Sequence, residues 1–110
     1  MQARAWYERS AAARDPKGMA AFGEYLLIGV GGPQDNALGL VNMTEAAGLG
    51  SSLGAYRLGK AFFKGTWGLP KDPTRARFWL RKVAEGECKY KHVTDEAIAE
   101  AAKWLRELDD

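Results

Sequence analysis

The sequence holds 110 residues, 46% apolar and 27% charged, with a formal net charge of +2. That describes one ordinary globular domain. It has no apolar run near the ~18 residues a membrane span needs, and with Cys88 as its lone cysteine no internal disulfide. Charge is unevenly spread, at −1 over residues 1–55, +7 over 56–92 and −4 over 93–110. Such a pattern suits an acidic partner, or equally the solvated faces of separate helices. The N-terminus lacks the apolar centre of a signal peptide, so the chain as written is expected in the cytoplasm. A signal upstream of Met1 would send it instead to the periplasm or the exterior.

In chain order, the pattern predicts helices over 2–13, 16–29, 36–48, 52–65, 73–86 and 94–108, and no strand. Asp15-Pro16 and Asp72-Pro73 each place a carboxylate at an N-cap and proline at the first helical position, where its missing N–H costs nothing. Asp35, Ser51 or Ser52, and Thr94 cap three more helices, with Asp95 and Glu96 favouring the positive end of the last. Gly29-Val30-Gly31-Gly32 and Gly65-Thr66-Trp67-Gly68 stop two helices and turn the chain. The last helix has an apolar stripe of Ile98, Ala101, Ala102, Leu105 and Leu108, with Glu96, Glu100, Lys103 and Glu107 outside it.

Residues 18–29 and 54–65 repeat one another at a constant offset of 36, and Gly31-Gly32-Pro33-Gln34-Asp35 answers Gly68-Leu69-Pro70-Lys71-Asp72 at 37. A period of this length marks a solenoid, whose units bury their apolar faces on one another and offer an extended surface rather than a cleft. Gly23 and Gly59 recur in mid-helix, where each costs ~1 kcal/mol against alanine, so close approach of a neighbouring helix is expected. Ala76, Trp79, Leu80 and Val83 share one helical face, and Ala3-x-x-Trp6 repeats the start of that pattern. Both tryptophans are therefore expected to be core anchors.

At these residues the chain resembles the Sel-1-like repeat family, relatives of the tetratricopeptide repeats. The resemblance rests on Ala55-Tyr56-Arg57-Leu58-Gly59, Phe62, Gly65, Gly68-Leu69-Pro70-Lys71-Asp72, Arg75-Ala76, Trp79, Lys82 and Ala84. It implies an all-α, right-handed α/α superhelix: a half repeat over 1–14, repeats over 15–50 and 51–87, then a loop and capping helix over 88–110. Gly39 and Asn42 depart from the pattern, where it has alanine and then tryptophan or leucine, so loose packing is expected in the middle unit. Residues 87–93 fit no part of it.

The resemblance further implies a non-catalytic scaffold or adaptor, found mostly in bacterial signalling, secretion, virulence or stress complexes. The first helix of each unit would line the concave side. Arg57, Lys60 and Lys64 share a face of one such helix, and with Glu24, Tyr25 and Trp67 they form the candidate partner-binding set. An acidic or C-terminal peptide is the expected partner, with charge setting steering and register; a solvated face is the alternative. Trp67 is either an aromatic anchor for a partner or a lid over the helix ends. An inhibitor neutralising one enzyme is a second functional reading, and a basic nucleic-acid-binding solenoid a weaker third, given the small total charge.

Signals for catalysis are sparse. Cys88-x-x-x-His92 lacks the further ligands of a zinc site and fixes no geometry for a nucleophile pair. Gly29-x-Gly31 follows no strand, and the third glycine of a dinucleotide fingerprint is missing. No metal, cofactor or catalytic residue is assigned.

Overall fold

The caps set the architecture. In the computed structural model, which describes residues 3–91 and 93–109, the side chains of Asp15, Asp35, Ser51, Asp72 and Thr94 accept hydrogen bonds from the backbone N–H groups of Gly18, Leu38, Gly54, Arg75 and Ala97 at 3.0–3.2 Å. Each satisfies a donor that has no partner within its helix. The helices are α1 (Ala3–Ala12), α2 (Pro16–Ile28), α3 (Asn36–Gly48), α4 (Ser52–Lys64), α5 (Pro73–Ala84) and α6 (Asp95–Asp109). Gly29 and Gly65 close α2 and α4 in the left-handed conformation. No strand forms among the described residues.

Each helix packs on the next, and in addition α2 touches α4 and α4 touches α6. Contacts of that extent do not join α1, α3 and α5. Two layers result, with α2, α4 and α6 on the inner side and α1, α3 and α5 splayed outside. The particle measures 46 × 27 × 21 Å, the elongation of units stacked along one direction. The core runs through the stack from Met19, Ala20 and Leu27 by way of Met43, Ala46, Leu58, Ala76 and Leu80 to Ala101 and Trp104.

The mid-helix glycines mark close crossings. A Cβ on Gly59 would stand 2.7 Å from Leu80 Cδ2 and 3.2 Å from the Leu80 amide nitrogen of α5. Gly59→Ala is expected to lose up to ~2 kcal/mol, overpacking of ~1–3 kcal/mol being offset by ~1 kcal/mol of helix propensity; a thermal melt at or above the parent's would contradict it. Between α2 and α3 the approach is as tight. A Cβ on Gly23 would lie 2.9 Å from the Gly39 carbonyl, and one on Gly39 would lie 2.7 Å from Leu27 Cγ. The loose middle unit expected from Gly39 is thus corrected: the missing methyl lets the helices close. Asn42 turns its amide to the Leu38 carbonyl at 3.0 Å.

Three further expectations change. Trp6 is 60% exposed and is not a core anchor. Helix α1 spends Tyr7, Ser10 and Ala11 on α2 and the core, which leaves Trp6 pointing away. Trp79 is half-buried at the core's edge, the buried stripe of α5 being Ala76, Leu80 and Val83. In α6 the buried face is Ala101 and Trp104, flanked by Ala97, Ile98 and Leu108, so Trp104 joins the expected stripe, while Glu100 stays exposed and accepts from Tyr56 of α4. Packed on α5 and touching α4, α6 occupies the place of a first helix in the stack.

Residues 88–91, outside the repeat pattern, run back beside the α3–α4 turn. The Tyr90 N–H donates to the Gly50 carbonyl at 2.8 Å and the Ser52 N–H to the Tyr90 carbonyl at 2.9 Å. This isolated parallel bridge fixes the start of α4.

Candidate functional site

The inner layer gathers most of the candidate residues, and most already have partners. Arg57 Nε of α4 donates to Glu24 Oε2 of α2 at 2.7 Å, with both side chains about three-quarters covered. The pair ties successive first helices together. Tyr25 lies beside it in α2, but its ring meets Tyr7 of α1 edge-on at 5.4 Å. One turn along α4 from Arg57, Lys60 and then Lys64 place their ammonium groups 5.9 and 5.4 Å from the centroid of the Trp104 ring. Lys64 remains exposed and Lys60 half-buried. Charge and ring quadrupole attract at this distance, by about 0.5–1 kcal/mol at exposed sites.

Trp104 organises this end of the layer. Ten residues after its cap, it holds the place of Ala61 after Ser51 and of Tyr25 after Asp15. Its ring stacks on Tyr56 at 5.9 Å and on Phe63 at 5.4 Å. Tyr56 is itself buried, and its hydroxyl donates a short hydrogen bond to Glu100 Oε1. Burial first, and that bond second, push the phenol from its ordinary value near 10 up to about 12.

An alkaline signature follows. A folded-state pKa raised above the unfolded one adds stability that is complete below pH 10 and lost as pH climbs through about 12, because the unfolded chain releases that proton first. Urea unfolding at stepped pH should show the parent losing more stability between pH 10 and 12 than Tyr56→Phe does. Parallel curves would contradict the coupling.

Trp67, in the turn after α4, packs inward. Its ring is half-buried against the core, and its backbone sits at φ +57°, a conformation that costs a bulky residue on the order of 1–3 kcal/mol. Packing of the indole offsets that strain.

Catalytic geometry does not assemble among the described residues. Cys88 is half-buried, its Sγ 3.6 Å from the Lys82 carbonyl, and burial raises its thiol pKa, which disfavours the nucleophilic thiolate. His92 lies outside the described residues. No group of three His, Cys, Asp or Glu side chains is arranged to hold a metal among the described residues. Asp35 and Asp72 are caps; the Arg75 N–H and then its guanidinium hold Asp72 below the usual carboxylate range. Gly29 and Gly31 turn the chain at φ +81° and +74°.

Trp104, which stacks on Tyr56 and Phe63 beneath Lys60 and Lys64, lay outside the candidate set read from the sequence. No helix of the described residues is long and apolar enough to cross a membrane. No curated protein matches the sequence significantly. The family model of the Sel1 repeat matches residues 1–15, 16–51 and 52–87. Sel1 repeats form TPR-like helical solenoids, generally serve as protein–protein interaction modules and are typically non-catalytic. With three matches spread over most of its length and a layered stack of paired helices, the chain belongs to the Sel1 repeat family.

Proposed function

We propose that the protein is a non-catalytic scaffold that holds another protein or peptide against the inner layer of α2, α4 and α6. The observation that carries this reading is the cationic row along α4, in which Lys60 and Lys64 lie over one aromatic ring and Lys64 faces solvent. The same positions of α2 hold Glu24 and Ile28, so the repeat itself does not require the row. A carboxylate-bearing segment laid along α4 would meet these ammonium groups on a firm aromatic floor, with electrostatics setting register more than affinity. Arg57 acts differently. Committed to Glu24, it shapes the surface rather than offering a free charge.

Selection from a peptide library tests the proposal, comparing the parent with Lys60→Glu/Lys64→Glu. Arg57 is left intact, since a glutamate there would face Glu24 and disturb the fold. The parent should enrich a set of acidic peptides that the double variant no longer selects, while the variant melts close to the parent. Equal enrichment by both proteins would refute the inner-layer reading. A binding constant that collapses with added salt and prefers oligonucleotides would point to phosphate recognition instead.

A further inference from the structure

The outer face of α5 carries a second, chemically distinct surface. Helix α5 holds Arg75, Arg77, Arg81 and Lys82 and no carboxylate. Among these cations Phe78 is 54% exposed. It meets Trp79 edge-to-face at 4.9 Å and 85°, and Lys82 Nζ stands 5.0 Å from its ring centroid. A cavity of about 620 Å3 opens here, lined by Asp72, Thr74, Arg75, Phe78 and Trp79. Its size is within the range of small-ligand pockets.

The repeat does not require this chemistry. At the positions of Arg75, Phe78, Trp79 and Lys82, helix α3 has Leu38, Val41, Asn42 and Glu45. Helix α1 keeps Trp6 but has Ala5 in place of Phe78, and its cavity is smaller, about 280 Å3. The charges are also unevenly committed. Arg77 turns to Asp109 and the Leu108 carbonyl of α6 at 2.9 and 3.1 Å. Arg75 gives one nitrogen to Asp72 at 2.7 Å, yet its side chain is 68% exposed. Arg81 meets Glu85 only at 3.8 Å.

We propose that this face binds an acidic peptide segment that seats one large apolar side chain against Phe78 and Trp79, with flanking carboxylates on Lys82, Arg81 and Arg75. Charge complementarity selects this occupant. An exposed aromatic pair beside a cavity supplies an anchor of the type that dominates interfaces, and the surrounding cations favour carboxylates. A nucleic acid fits less well, because one aromatic pair is not a row of stacking faces.

The test is calorimetric titration of the whole protein with a short synthetic Glu/Ser peptide carrying one central Phe. Replacing that Phe by Ala in the peptide, or making Phe78→Ala in the protein, should weaken binding roughly 10- to 30-fold. Lys82→Glu should weaken it as well, and Lys17→Glu, the same charge change on an exposed lysine of α2 away from α5, should leave it unchanged. Thermal melts confirm that each variant is folded. Absence of binding by the parent, equal binding by Phe78→Ala, a Lys17→Glu loss as large as that of Phe78→Ala, or tighter binding of a single-stranded oligothymidylate would each overturn the proposal.

Discussion

Truncating Trp104 to alanine is expected to lower stability by about 3–5 kcal/mol, the usual range for a buried tryptophan. The indole is 6% exposed and lies between Tyr56 and Phe63, with two lysine ammonium groups over it. Removing it takes away the main plug between α4 and α6 and uncovers Tyr56, whose hydroxyl is tied to Glu100. Because a solenoid's stability is nearly a sum of neighbour interfaces, the loss should be local. Amide exchange should accelerate first in α6, while α2 and α3 stay protected. The other tryptophans should rank below it. Half-buried Trp79 should cost less, and Trp6, 60% exposed, should change stability by no more than about 0.5 kcal/mol when truncated. Chemical denaturation of the three alanine variants checks the order, and a Trp6→Ala loss equal to that of Trp104→Ala would contradict it.

The contrast between Trp6 and Trp104 shows what a sequence of this kind reveals. Helix boundaries were legible because local chemistry sets them. Asp15, Asp35, Ser51, Asp72 and Thr94 bond to amides three residues ahead, and Gly29 and Gly65 end helices through their own backbone freedom. The tight crossings at Gly23 and Gly59 were legible too, since a repeated glycine in mid-helix has a cost that something must offset. Periodicity names a helix's apolar stripe but not the neighbour that covers it. Trp6 and Trp79 share a register, yet one is exposed and the other half-covered, because α5 packs on both α4 and α6 while α1 packs to that extent on α2 alone. The candidate site was legible as a row of cations and no further. Its partners, Glu24 and Trp104, are distant in sequence, and only the stacking of layers brings them to Arg57 and Lys64. Residues 88–91 find their place through a backbone bridge to the α3–α4 turn, a pairing their side chains do not encode.

Gly54→Ala should cost more than Gly59→Ala, about 2 kcal/mol or more net. At the α3–α4 crossing, an added Cβ would stand 2.8 Å from the Ala47 amide nitrogen, 2.9 Å from the Met43 carbonyl oxygen and 3.1 Å from Ala47 Cα. All three are backbone atoms within a helix, and none can swing aside. At Gly59 the nearest atoms are the branched end of Leu80, which can shift by a few tenths of an ångström, so the same substitution is milder there. Gly48 offers the control: it ends α3 without positive φ and has nothing within 4 Å of a built Cβ. Alanine there should stabilise by about 0.4–1 kcal/mol through the unfolded chain. For a domain near 100 residues, 1 kcal/mol corresponds to roughly 4–8 °C in Tm, so the three variants should spread widely in one melting experiment. Met43 and Ala47 lie in the continuous core between the two helix pairs. The loss at Gly54 therefore falls on the joint that couples the first pair to the second, and the variant should melt less cooperatively than the parent. A single sharp transition at the parent's Tm would show that the helices can separate at this crossing without penalty.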